Sequence, residues 1–381
     1  MDRTRTSHGH RGPRRAVQPA LRSRPVTTPV AIVTGTQAEA VERTVLTLAW
    51  DTLGAVAVHH TIDVTRQTLT RVVADHTGIL EREELDLDHA CASCALREDI
   101  LPTLARLAHT GRWSSIVAHL PISADATGIC RVIDYDPGYR DLLRVSEVIA
   151  VVDGPEWEND LLGDDLLIER EIHTSAEDGR SVAETLSSLI EYADTVLAVG
   201  EFPDEGGDLI SVLARPGARL VPDHLVYALD PGRTRHHDAA EAWVDPMGTQ
   251  PVGLIEEGTA WTVELRSDRP FHPGRLREHI AELGGGPRRS RGCFWLASRP
   301  GQACEWSGAG GQLSVGTALV QPDGPPHTRL LATGVDDDID ELVTLFNRCL
   351  VTDEEIARRG WTWNIADDGF DPWLGPIERA A

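Results

Sequence analysis

The sequence predicts an α/β protein in which a parallel sheet wrapped by helices is followed by a smaller α+β domain. Three observations carry that expectation. From Pro29 onward, short β-branched apolar runs alternate with longer stretches of helical period, the pattern of strands joined by crossover helices. After Val221 the alternation dissolves into proline, glycine and histidine, as an interdomain segment does. Beyond residue 258, apolar and polar residues alternate at strand period between two helical stretches.

Taken in order, Val30–Thr34 reads as the first strand, and a turn at Gly35 leads into a helix through Val41, Val45 and Leu48. Ala55–Val58 is a second strand ending at His59 and His60. Ile116–His119, Val148–Val152 and Thr195–Val199 are the third, fourth and fifth. Ligands of such sheets bind beyond the strand C-termini, so Gly35, His59, His119, Asp153 and Gly200 should lie along one edge. In the second unit, strands are expected at Trp261–Leu265, Gly292–Ala297, Gln312–Val320 and Arg329–Thr333. Helices are expected at Pro273–Leu283 and Asp338–Cys349. The domains are therefore 1–28, an arginine-rich tail; 29–221, the α/β domain; 222–258, a linker; and 259–381, the α+β domain.

Composition narrows the function classes. Sixty acidic residues against 36 basic ones give a net charge of -24, which argues against broad adhesion to nucleic acid or membrane. All the basic residues are arginine, so chemistry that needs a phosphate-binding lysine is excluded. No apolar run approaches the ~18 residues of a membrane span, and the start of the chain lacks the apolar core of a signal peptide. The six cysteines are sparse for 381 residues, which suggests a reducing cytoplasm and no disulfide framework. In the tail, Arg3, Arg5, Arg11, Arg14, Arg15, Arg22 and Arg24 read as a solvated leader or as an arm for an anionic partner. Arg269, Arg275, Arg288, Arg289 and Arg291 are expected either as solvated salt bridges or as a basic face for local RNA contact.

The densest chemistry lies in His89-Ala90-Cys91-Ala92-Ser93-Cys94-Ala95-Leu96-Arg97-Glu98-Asp99-Ile100. Two thiols three residues apart at a helix start can hold one thiophilic ion. Tetrahedral zinc needs further donors, for which His89 and His119 are the candidates, with His59 and His60 also near strand ends. Glu98 and Asp99 read as helix-start carboxylates. The alternatives are that Cys91 and Cys94 are packing residues or a redox pair. His224, His236 and His237 read as solvated loop residues.

Three segments resemble the CobW-like family of P-loop GTPases. Cys91-Ala-Ser-Cys94-Ala-Leu-Arg-Glu-Asp-Ile100 is similar to the family's Cys-x-Cys-Cys motif and the Leu-Arg-Glu-Asp-Leu that follows it, with Ser93 at the second cysteine. Arg269–Leu276, Arg289–Ala297 and Thr352–Glu355 resemble its C-terminal domain. The resemblance implies a P-loop-type sheet followed by a CobW C-terminal domain. It also implies zinc and GTP as ligands.

The nucleotide motifs of that family do not carry over. Gly35-Thr-Gln-Ala-Glu-Ala-Val-Glu-Arg-Thr44 stands in place of GxxxxGK[ST], putting Glu39, Val41 and Glu42 where small residues should cradle phosphate. Only Gly35, Arg43 and Thr44 fall near its functional positions. His119–Ser123 replaces an acidic switch, and Val199–Asp204 replaces the guanine-reading Asn-Lys-x-Asp. The expectation is therefore no catalytic residue and no hydrolysis; any activity would be that of a GTPase. The resemblance points to a branch whose members recruit a hibernation factor to ribosomes under zinc limitation. The function expected is a zinc-responsive adaptor with a protein partner, and the alternative is a zinc metallochaperone using atypical GTP binding and hydrolysis.

Overall fold

The computed structural model describes residues 27–222, 227–248, 252–318, 327–335 and 339–377. The arginine-rich tail to residue 26, His224 and the Asp336–Asp338 run lie outside the described residues.

The first unit begins with β1 (Thr28–Gly35), α1 (Ala38–Asp51), β2 (Ala55–Asp63), β3 (Thr68–Asp75) and β4 (Gly78–Asp86). A short helix α2 (Ala92–Ala95) then passes through a π-helical stretch, Leu96–Ile100, into α3 (Leu101–Thr110). Pro102 has no N–H to continue the regular ladder at that junction, which accounts for a wider turn there. Next come β5 (Ser115–His119), α4 (Thr127–Tyr135), α5 (Pro137–Arg140), β6 (Leu143–Asp153) and α6 (Trp157–Leu162). The unit closes with α7 (Val182–Tyr192), β7 (Thr195–Val199), α8 (Asp204–Leu213), β8 (Arg219–Pro222) and α9 (His237–Val244).

The strands form one eight-stranded sheet of order β4-β3-β2-β5-β1-β6-β7-β8. From β2 to β8 the pairs are parallel, whereas β2–β3 and β3–β4 are antiparallel. Val30, Ile32, Val56 and Val58 point to one face, under α3 and α4. Val33, Ala57, Val117, Ile149 and Val151 point to the other, where α1 packs with Val41, Val45 and Leu48. Register brings the expected edge together: His59 pairs with His119, Val33 with His119, Gly35 with Val151, and Asp153 with Val199.

The second unit holds β9 (Ile255–Glu257), β10 (Ala260–Ser267), α10 (Pro273–Gly284), β11 (Arg288–Phe294), β12 (Cys304–Ala309), β13 (Gln312–Thr317) and β14 (Thr328–Val335). Helices α11 (Ile339–Cys349), α12 (Asp353–Arg359) and α13 (Asp371–Leu374) complete it. Its sheet is antiparallel, of order β13-β12-β11-β14-β10-β9, around Phe271, Leu276, Phe294, Trp306 and Phe346. Among the described residues, no helix is long and apolar enough to cross a membrane.

The segment expected as a linker carries structure of its own. Arg235 is buried, bonding Asp194 through Nε at 2.8 Å and the Tyr192 carbonyl through Nη2 at 3.0 Å. His237 is also buried, 3.0 Å from the Tyr192 hydroxyl, and not a solvated loop residue. Arg288, Arg289 and Arg291 form no exposed basic face either, because β11 is buried along its whole length. Arg289 grips both carboxylate oxygens of Glu191 at 3.0 and 3.2 Å, and Arg291 Nε reaches the same carboxylate at 3.2 Å, tying the two units together. Arg275 is held by Glu355, with both contacts at 2.8 Å, and Arg269 lies 3.4 Å from Asp353.

Candidate functional site

Cys91 adopts extended backbone (φ -154°, ψ 156°) as the N-cap of α2, and its Sγ accepts the Cys94 N–H at 3.2 Å. A helix N-cap is where an acceptor satisfies an orphan N–H, so this contact holds both thiols on one turn. Both cysteines are partly exposed, whereas Cys130, Cys293, Cys304 and Cys349 are buried. Hydrogen bonding with Cys91 raises the pKa of the Cys94 thiol, and burial and the Cys91 and Glu98 charges add to it.

Beside Cys91 runs a groove of about 480 Å³. Its lining combines apolar residues, among them Leu96, Leu120 and Pro121, with the charged side chains of Asp125, Glu177, Asp178 and Arg180. Asp178 accepts from Arg180 at 2.7 and 2.8 Å, which holds its pKa down to about 2 against the upward push of burial.

The structure does not join the expected histidines to these thiols. His119 is 1% exposed and stacks on His59, with ring centroids 4.1 Å apart and planes 10° from parallel. His59 lies 3.7 Å from Glu42 of α1, so both rings face the α1 side, whereas Ala90 and Ala95 beside the cysteines pack into the core on the opposite side. Burial pushes His119 well below the usual imidazole range, and the neighbouring His59 and His60 add to the shift. His89 is exposed. His60, buried, has Nε2 3.8 Å from Asp99, whose carboxylate Arg71 binds at 2.6 Å. Among the described residues, no three His, Cys, Asp or Glu side chains are grouped so as to hold a metal ion. The donor chemistry of Cys91 and Cys94 fits a thiophilic ion, for which they would supply two of the four ligands tetrahedral zinc takes.

At the position of the phosphate loop, only Thr36 and Gln37 separate β1 from α1. A methyl group added to Gly35 would lie 2.5 Å from Val41 Cγ2, so the Val41 side chain crowds the end of the strand. The Ser123 N–H donates to the Gly35 carbonyl at 3.0 Å, bringing the loop after β5 onto the same turn. Asp160, fully buried on α6, accepts from Gln37 Nε2 at 2.8 Å and from Thr36 Oγ1 at 3.4 Å, and it also pairs with Arg170. A carboxylate thus stands at the positive end of α1, where a phosphate would be expected. Burial raises the pKa of nearby Asp153, reinforced by the charges of Asp160 and Glu156. Thr44 sits in the second turn of α1 with its hydroxyl on the Ala40 carbonyl at 2.8 Å, away from the helix start, and Arg43 is exposed beside it. No local pattern signals the roles of Asp160, Arg170 or Arg180, which depend on contacts made within and between loops.

Comparison with known proteins decides the family. The model for the cobalamin synthesis protein cobW C-terminal domain matches residues 260–350. The zinc chaperone Rv0106 of Mycobacterium tuberculosis is 30% identical over 366 residues, covering 84% of this chain and 87% of its own length. The chain belongs to the CobW-like family. A more distant relative in this family comparison, zinc-regulated GTPase metalloprotein activator 1 of Dictyostelium discoideum, is 23% identical over 77% of this chain and 70% of its own. The Zn(II)-bound YjiA GTPase from E. coli is 17% identical with a TM-score of 0.35, covering 85% of this chain and 99% of its own. Within the CobW-like protein described here, the β11 arginines that resemble the family's C-terminal signature are the ones buried against Glu191.

Proposed function

We propose that this CobW-like protein takes up zinc as cargo on Cys91 and Cys94 and signals its zinc state to a protein partner without hydrolysing GTP. The observation that carries the reading is the contrast between two neighbouring positions. The cysteine turn keeps two accessible thiols on a helix start beside an open groove. The phosphate-loop position is shortened to Thr36 and Gln37 and filled by Val41 and Asp160. Phosphoryl transfer depends on positioning and charge neutralisation, and a buried carboxylate at the helix start opposes both. The relatives named a zinc chaperone and a zinc-regulated metalloprotein activator support the zinc part of the reading.

The finer proposal is a cytoplasmic adaptor whose partner is a ribosome-associated hibernation factor, recruited when zinc is scarce. The second reading, a zinc metallochaperone driven by atypical GTP hydrolysis, is supported by the name of the Mycobacterium tuberculosis relative, a zinc chaperone, and by that of the Dictyostelium relative, a zinc-regulated GTPase, but the turn after β1 in this chain is only Thr36 and Gln37. Affinity purification from zinc-replete and zinc-starved cells separates them. Ribosome-associated proteins recovered in a zinc-dependent manner support the adaptor; a zinc enzyme recovered only with GTP supports the chaperone.

A further inference from the structure

We infer that the apolar stripe of Leu46 and Trp50 on α1 and Leu53 in the turn after it is a docking surface for this chain's own N-terminal segment, Val17–Val26. The inference stands apart from the zinc reading. The three side chains are 62%, 72% and 96% exposed, and their spacing of four and three sets them on one line. That line faces away from the sheet, opposite Val41, Val45 and Leu48, which α1 buries. A contiguous exposed apolar line with an indole at its centre marks an interaction surface.

Position and charge select the occupant. β1 and β2 both run parallel to β5, so α1 returns along the sheet and its last turn lies at the end where β1 begins. There the Thr28 N–H donates to the Leu142 carbonyl at 2.8 Å, which fixes where the N-terminal segment joins the fold. β2 stands two strands from β1, about 10 Å across the sheet, a distance that a few extended residues span. Residues 1–26 hold seven of the chain's 36 basic residues and one of its 60 acidic ones, and they end with Val17, Leu21 and Val26 set among Arg22 and Arg24. The helix end offers the complement. Asp51 is exposed in the last turn of α1, where an acid meets the negative end of the helix dipole and no basic residue of that turn offsets it. Arginine relieves that charge and stacks on the Trp50 indole, leaving Val17 and Leu21 to cover Leu46 and Leu53. A second copy suits the stripe less well, because three side chains fall far short of the roughly 20–30 residues a side of a stable interface. A tethered segment needs no such area, since its effective concentration is already on the order of millimolar.

Hydroxyl-radical footprinting of the full-length protein, read residue by residue by mass spectrometry, provides the test, with Trp373 as reference because it is 55% exposed. Trp50 is the more exposed of the two in the fold, yet it should oxidise about fivefold more slowly, and at the same rate after dilution of the protein. Leu21→Asp, Arg22→Glu and Arg24→Glu made together should raise the Trp50 rate about fivefold and leave Trp373 unchanged. From the other side, Trp50→Ser with Leu53→Ser, both at exposed positions, should speed tryptic cutting after Arg22 and Arg24 by a similar factor. Trp50 oxidised as fast as Trp373 in the wild type overturns the inference, as does protection that the N-terminal substitutions leave intact. Protection lost on dilution assigns the stripe to a second copy and overturns it too. So does unchanged cutting after Arg22 and Arg24 in the Trp50 and Leu53 variant.

Discussion

The carboxylate of Asp160 accepts the side-chain amide of Gln37 at 2.8 Å, placing a buried negative charge at the start of α1. Arg170 pairs with the same carboxylate, so the charge is balanced from within the chain. An anion arriving from solvent would have to displace it. The purified protein is therefore expected to show no GTP turnover above background and no thermal shift with Mg²⁺ and GTP. Asp160→Asn removes the charge but leaves Val41 and the short turn in place, so it should not create turnover. Saturable hydrolysis in the wild type that disappears in Arg43→Ala contradicts this.

Glu191 is the joint between the two units. Its carboxylate is 3% exposed and receives Arg289 and Arg291, so Glu191→Ala leaves two buried guanidinium groups without their partner. Loss of one member of a buried ion pair costs about 3–5 kcal/mol, and a stability change of that size is expected by urea denaturation. A loss under about 1 kcal/mol would mean that the interdomain contact is solvated.

The stacked pair His59 and His119 sets an acid limit on stability. Burial holds His119 well below its reference pKa of 6.5, so the unfolded chain takes up the proton first. The stability associated with neutral His119 is complete above about pH 6.5 and is lost as pH falls below it, by at most about 1.4 kcal/mol per pH unit. His59 is lowered in the same direction, chiefly by burial. His119→Leu should flatten the decline in the denaturation midpoint between pH 7 and 5. A variant that declines as steeply as the wild type would assign the acid sensitivity to other groups.

Zinc affinity should rise with pH. The Cys94 thiol has a raised pKa, so it must give up a proton to bind as a thiolate. Each proton released on binding implies up to about a tenfold gain in affinity per pH unit. Competition titrations at pH 6.5, 7.0 and 7.5 measure the slope, and a flat profile would argue against thiolate ligation.

The parallel strands were legible because β1, β5 and β7 are buried on both faces and read as continuous apolar runs, Thr195–Val199 to the residue. The β3–β4 hairpin escaped notice because one of its strands is the sheet edge, where Glu83, Glu84 and Asp86 are exposed. The cysteine turn was visible as spacing, yet its surroundings were not. His119 sits at the expected edge, but strand alternation turns it to the α1 side, away from Cys91. Arg288, Arg289 and Arg291 look like a surface cluster in sequence, since nothing local announces that Glu191, about a hundred residues earlier, will pair with Arg289 and Arg291, or that Arg288 will donate to the Glu282 carbonyl.

The central claim is that Cys91 and Cys94 hold zinc, and zinc titration against a chromophoric chelator tests it most directly. Wild-type protein should bind one equivalent reversibly, and the Cys91→Ser, Cys94→Ser double variant should bind none, while His236→Ala with His237→Ala leaves the stoichiometry unchanged. Unchanged stoichiometry and affinity in the double-serine protein, with its fold intact by circular dichroism, would remove these thiols from the site and contradict the account.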